Sequence, residues 1–403
     1  MTLNVTFLLA ALALAAFVCP LLGERLRMPG AVIELLCGLA LSPFISSSDV
    51  ASGSVVATLG GLGFMILMFL VGVELDLREI WGASRGPVVM GAALFAVSLA
   101  GSWLLVGHVA GASSIWVLAG AATSVGVTVP VLHVHGWMGE RFGRDVLMVG
   151  AVAEVVYLAA LSFFSAGRQS SGLATAMVGL RALGFLIFVL SVATVVRRVR
   201  SRLPRHFHRW FLRDDPVEVG LRGTFALLFG VVAIAGLLRV PTVVGALLAG
   251  VIFRSVIGNA KAIIERVTSV GNSFFVPLFF LTVGLQTPLR SDVLALAPVV
   301  GAMLLALSVP RLVVAPFLRR RGYSWRLSLA GSVSLMAPLT LLVTTAEIGR
   351  ATSLTGPTTS AALVLVAAVS AIIFPVLARH LLPHRRDEDV AEAEESAVAP
   401  AAL

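Results

Sequence analysis

Glu154 stands alone in a long apolar run, M-V-G-A-V-A-E-V-V-Y-L-A (148–159). An ionised carboxylate at the centre of a membrane helix costs about 2.5–3.5 kcal/mol on insertion scales. Such an acid takes up a proton or finds a cation. Upstream lies a second apolar run, A-A-T-S-V-G-V-T-V-P-V-L (121–132), interrupted by Thr123, Ser124, Gly126, Thr128 and Pro130. The hydroxyl oxygens of Thr123, Ser124 and Thr128 suit hard cations. Pro130 has no N–H, so the carbonyl of Gly126 loses its helical partner. Freed backbone groups are tolerated at membrane depth only against protein or a water-filled cavity. A broken membrane helix beside a buried acid is the pattern of a cation or proton site, with Glu154 taking up and giving back the proton.

Plainer readings stand beside this one. Hydroxyls in membrane helices also bond back to their own backbone. Glu154 has a structural alternative, an ion pair with Arg311, which also lies in an apolar segment. Arg311 stays charged at any relevant pH. It is a counter-charge, to Glu154 or to helix C-termini, or else a substrate contact. With one titrating acid, the expected exchange is electroneutral, one proton per monovalent cation.

Composition says what must position these residues. The chain has 403 residues, 58% hydrophobic and 13% charged, with a mean hydropathy of +0.99. Soluble domains carry roughly 25% charged residues. The chain reads as an all-α polytopic membrane protein. By span length it divides into thirteen segments, from 3–22 to 359–382. They include 114–134, 145–165, 173–196, 272–288, 292–317 and 327–348. The net charge of +9 rests on 29 Arg and one Lys. Twenty-three of these fall in odd loops and the C-terminal tail, and four in even loops. The positive-inside rule then puts the N-terminus outside and the C-terminus in the cytoplasm of a cell membrane protein. The basic charge thus orients the chain on lipid, and no nucleic-acid partner is expected. The loop 197–216 is the most basic and reads as an orientation signal on anionic lipid. The tail 384–403 is acidic and Ala-rich and reads as disordered. Met1 to Leu22 reads as a retained first helix, since its n-region has no positive charge. Cys19 and Cys37 read as small core residues. No P-loop, nucleotide fingerprint or catalytic triad is present, so neither an enzyme nor a cofactor is expected.

Several segments in order resemble the monovalent cation:proton antiporter-2 family. They are G-E-R-L-R-M-P-G-A-V-I-E-L-L-C-G-L-A-L-S-P (23–43), L-G-F-M-I-L-M-F-L-V-G-V-E-L-D-L (62–77), T-S-V-G-V-T-V-P-V-L (123–132), F-V-P-L-F-F-L-T-V-G-L (275–285) and R-G-Y-S-W-R-L-S-L-A-G (321–331). The resemblance implies a transmembrane antiporter domain over 1–383 with an inverted-repeat fold and two crossing discontinuous helices. Gly126 and Pro130 mark one break, Pro338 and Thr340 the other. It implies core helices over roughly 86–165 and 292–348, a homodimer, and exchange of Na⁺ or K⁺ for H⁺ by alternating access. The nucleotide-binding domain that many relatives carry after the last helix is expected to be missing. Residue by residue, Glu154 falls on the family's acid and Ala153 on its polar neighbour. Arg311 falls where a Lys is usual. A-P-L-T (337–340) replaces P-R-G-E, so the Arg and Glu are lost. These departures keep open a proton-coupled exporter of an organic compound. A non-transporting sensor is a third reading.

Other polar residues rank lower. Glu34 and Glu74 read as exposed or capping, and Glu347 and Arg350 as solvated near the outer surface. His133 and His135 form an H-x-H pair without an evident third ligand, so no metal is expected beyond the transported cation.

Overall fold

The computed structural model describes residues 5–26, 28–45, 54–74, 85–107, 114–138, 140–167, 218–237, 242–257, 261–287, 297–351 and 354–383. The segment 173–196, the basic loop 197–216 and the tail lie outside them. The described residues hold helices and no strand. In order these are α1 (Val5–Leu26), α2 (Gly30–Leu41), α3 (Val55–Glu74), α4 (Arg85–Val106), α5 (Ser114–Gly120), α6 (Thr128–Val134), α7 (Arg141–Gly167), α8 (Val219–Leu237), α9 (Thr242–Ile257), α10 (Lys261–Val270), α11 (Val276–Leu285), α12 (Ala297–Ser308), α13 (Val314–Arg320), α14 (Trp325–Ser334), α15 (Leu339–Ala351) and α16 (Pro357–Leu381). Eight spans among the described residues are long and apolar enough to cross a membrane, and two shorter helices are apolar.

The chain forms two compact units. The first takes Met1–Gly82, Leu158–Ser291 and Ile348–Ala361. Glycines set its packing. A Cβ on Gly72 of α3 would run into the carbonyl of Leu247, and one on Gly250 of α9 into that of Phe69. Gly38 of α2 and Gly284 of α11 meet the carbonyls of Leu281 and Leu35 in the same way. Small residues let membrane helices approach backbone to backbone. Gly72→Val therefore forces α3 off α9. Overpacking costs about 1–3 kcal/mol or more, and the melting temperature in detergent is expected to fall clearly.

The second unit takes Ala83–Tyr157, Asp292–Glu347 and Ala362–Leu403. Its core gathers Leu94, Val131, Leu132, Val146, Leu318 and Leu335, among others. Two of its helices are broken. Residues 121–127 separate α5 from α6, and residues 335–338 separate α14 from α15. The breaks meet: the Thr128 hydroxyl donates to Ser334 O at 2.8 Å. Val125 and Leu335 both close over Gly150 of α7, where an added Cβ would lie 2.6 and 2.7 Å from their side chains.

Proline acts at the breaks differently from the sequence reading. Pro130 is the third residue of α6. There its missing N–H is one that a helix start leaves unpaired anyway. It therefore belongs to the second half-helix, and the break lies upstream of it. Pro338 directly precedes α15, and its carbonyl accepts the N–H of Leu342 at 3.0 Å. Thr340 lies in the first turn of α15, half-buried. Two segments read as continuous are also irregular. A π turn at Gly271–Phe275 joins α10 to α11, and a 3₁₀ stretch at Val309–Val313, around Pro310, joins α12 to α13.

An ion cluster ties the start of α7 to the link between α13 and α14. Arg321 donates to both oxygens of Asp145, at 2.7 and 3.0 Å, and the Tyr323 hydroxyl donates at 2.8 Å. Burial, then the bond to Asp145, pushes the Tyr323 hydroxyl up to about 12, so it remains the donor. Phe142 stacks edge-on with both Trp137 and Tyr323, at 5.4 and 5.3 Å. Asp145→Asn removes the charge from a largely buried pair. Breaking such a pair costs about 3–5 kcal/mol when fully buried. Arg321 keeps 20% of its side chain exposed, so the lower end is expected, read as a drop in detergent melting temperature.

Candidate functional site

Glu154 sits on α7 with 1% of its surface exposed. The break at 121–127 leaves N–H groups without helical acceptors. The Glu154 carboxylate supplies them. Its Oε2 accepts the N–H of Val125 at 3.0 Å, and its Oε1 the Ser124 hydroxyl at 3.2 Å. The Ser124 oxygen in turn accepts the N–H of Gly126 at 3.3 Å. Thr123, next along the break, is fully buried, and its hydroxyl has no hydrogen-bond partner among the described residues. The structure thus brings Glu154, Ser124 and Thr123 to one interruption. Thr128 is placed differently: its proton is given to Ser334 O, so it braces one break against the other. Ala153 packs into the apolar core of the unit.

Arg311 is fully buried. Its guanidinium donates to Leu307 O at 2.7 Å, Ala306 O at 3.0 Å, Gly120 O at 3.3 Å and the carbonyl of Ala122. It therefore caps two helix C-termini, those of α5 and α12, where carbonyls lack intrahelical partners and the dipole end is negative. Of the roles open to it in the sequence, the helix-end role is the one its hydrogen bonds carry out. One turn beyond Glu154, the Tyr157 hydroxyl lies 2.6 Å from Thr345 Oγ1. Thr345 gives its own proton to Leu341 O at 2.6 Å, so Tyr157 is the donor and ties α7 to α15.

The donor set at the break is oxygen: a carboxylate, two hydroxyls and backbone carbonyls. That chemistry suits a hard cation or a proton. The remaining polar residues do not join it. His133 is exposed, and a ring nitrogen of the buried His135 lies 2.9 Å from Val131 O. Glu74 is exposed, but Glu34 is buried, with 4% of its surface exposed, where an exposed or capping place was expected. Arg350 is half-buried, and it bonds the Gln286 side chain instead of projecting into solvent. Sequence reasoning missed the Val125 N–H and the Tyr157–Thr345 bond. Neither has a local signature, because each depends on a partner supplied by another helix.

A family model described as the transmembrane sodium/hydrogen exchanger matches residues 13–382. The chain belongs to the sodium/hydrogen exchanger family. It is 26% identical to YjbQ of Bacillus subtilis over 95% of its own length, and spans 64% of the length of that protein. It is 27% identical to the iron transporter MagA of Paramagnetospirillum magneticum over 91% of this chain and 83% of MagA. Its fold matches the sodium proton antiporter MjNhaP1 of Methanocaldococcus jannaschii with a TM-score of 0.61, covering 94% of this chain and 97% of that one at 15% identity. As an exchanger-family chain it is a multi-pass membrane protein with an antiporter fold and discontinuous helices.

Proposed function

We propose that the chain exchanges a monovalent cation, Na⁺ or K⁺, for H⁺ by alternating access, with Glu154 as the carboxylate that cation and proton share. The observation that carries this reading is the placement of Glu154. It is a buried acid whose two oxygens rest on the interruption of a broken helix, beside the unpartnered hydroxyl of Thr123. Family membership and the name of the solved neighbour support a cation and a proton as the pair. Ser124, Thr123 and the freed carbonyls supply further oxygens for the cation. Thr128 braces the two breaks against each other, Gly126 lies within the first, and Pro130, Pro338 and Thr340 sit at or beside the starts of the half-helices that follow the breaks. Arg311 holds a half-helix end in place and supplies a fixed positive charge. One exchangeable site on one carboxylate makes the exchange electroneutral. The chain lies in the cell membrane with its N-terminus outside, its C-terminus in the cytoplasm, and a second copy as partner in a homodimer.

Proteoliposomes with an internal pH dye test this. Na⁺, K⁺, Li⁺ and Rb⁺ are added in turn. At least one is expected to move protons, at a rate that a clamped membrane potential does not change. Silence with every cation, from protein shown to be folded, sinks the reading. It would favour the organic-exporter alternative, which the apolar Ala153 and the A-P-L-T stretch (337–340) support.

A further inference from the structure

Hydroxyls on membrane helices usually bond back to the carbonyl one turn earlier. Most do so here: Thr224, Ser255, Thr282, Ser308, Ser332 and Thr344 all donate to their fourth preceding carbonyl, at 2.7–3.1 Å. Ser98 and Ser102 on α4 depart from the rule. Both are fully buried, and neither hydroxyl has a partner among the described residues. They lie one turn apart on the buried face of α4. Ser102 is pressed against the end of α5, where a Cβ on Gly120 would run into its oxygen. That same Gly120 carbonyl takes the Arg311 guanidinium, whose Nε–H is buried and also without a partner.

Three buried polar atoms of one unit, two of them on residues that meet the C-terminal end of α5 and Ser98 one turn of α4 away, are too costly to leave dry. An unsatisfied buried hydroxyl costs about 1–3 kcal/mol, and the usual remedy is ordered water making two to four hydrogen bonds. We infer that Ser98 and Ser102, with Arg311 Nε, hold resident water behind the first break. The serines both donate and accept, and Arg311 Nε only donates, which fits water better than a cation. The water completes the hydrogen bonds of the buried guanidinium and keeps the end of α5 polar without a rigid side chain crossing the break.

The Ser98→Ala/Ser102→Ala variant separates a wet site from a dry one by the sign of its effect. Both substitutions are smaller than the native residue, so steric failure is not expected. If the site holds water, the variant orphans that water and Arg311 Nε, and the melting temperature in detergent falls. If the site is dry, the variant deletes two unsatisfied hydroxyls and the melting temperature rises, which overturns the inference. The second readout is a density map of the wild type. Peaks at hydrogen-bond distance, about 2.7–3.2 Å, from Ser102 Oγ and Arg311 Nε support it. An empty apolar void there refutes it, as does a peak that strengthens when chloride is replaced by bromide. Neither readout requires transport, so the result stands apart from the proposed exchange.

Discussion

Glu154→Gln is expected to abolish cation-driven proton movement while leaving the protein folded. The amide keeps the shape of the carboxylate. Its oxygen can still accept the Val125 N–H, and its NH₂ can donate to the Ser124 oxygen. The net stability change of such an exchange of hydrogen bonds is about 1 kcal/mol or less. What disappears is the charge that attracts a cation and the basic oxygen that takes a proton. Transport in proteoliposomes should drop to the level of empty vesicles, with a melting temperature close to wild type. Glu154→Asp should fall between, because the shorter arm withdraws the carboxylate from the Val125 N–H. A folded Gln variant with full exchange would remove Glu154 from the mechanism.

Arg311→Met is expected to be the most destabilising single change in the second unit. It leaves the carbonyls of Gly120, Ala122, Ala306 and Leu307 without their shared donor. Each buried acceptor left without its donor costs about 1–3 kcal/mol. Arg311→Lys discriminates between the possible reasons. If Arg311 matters only as a positive charge near Glu154, Lys should restore both stability and transport. If it matters as a fork across two helix ends, a compact ammonium cannot reach all four carbonyls, and Lys recovers only part of the melting temperature. The structure predicts partial recovery. It also predicts that Glu154→Gln does not rescue Arg311→Met, since a coupled pair would show a large interaction energy in the double-mutant cycle.

The all-helical membrane fold was legible because apolar spans and few charges leave little choice. The position of the first break was legible in outline from Thr123, Ser124, Gly126 and Pro130. Its cause was misread. Proline looked like the breaker, whereas the interruption lies before it and is held by a carboxylate 29 residues away in sequence. Such a contact leaves no local periodicity to read. Arg311 was ambiguous because an isolated buried cation announces a need for partners but does not name them; carbonyls at helix ends are invisible in a one-letter code. Asp145 and Arg321 lie 176 residues apart, and either alone reads as a loop charge. Glu34 was misread for a related reason: a short helix with one acid looks like a surface element until its neighbours bury it.

If Glu154 is the shared site, cation and proton compete for one carboxylate. The direct test is the apparent cation affinity of the wild type in proteoliposomes, measured across a pH series with the membrane potential clamped. Competition predicts that the apparent KM for the cation rises as pH falls, approaching about tenfold per pH unit on the acid side by mass action, while the maximal rate extrapolated to saturating cation stays constant. A KM that does not move with pH, with the maximal rate changing instead, would place the proton on a group other than the one that holds the cation.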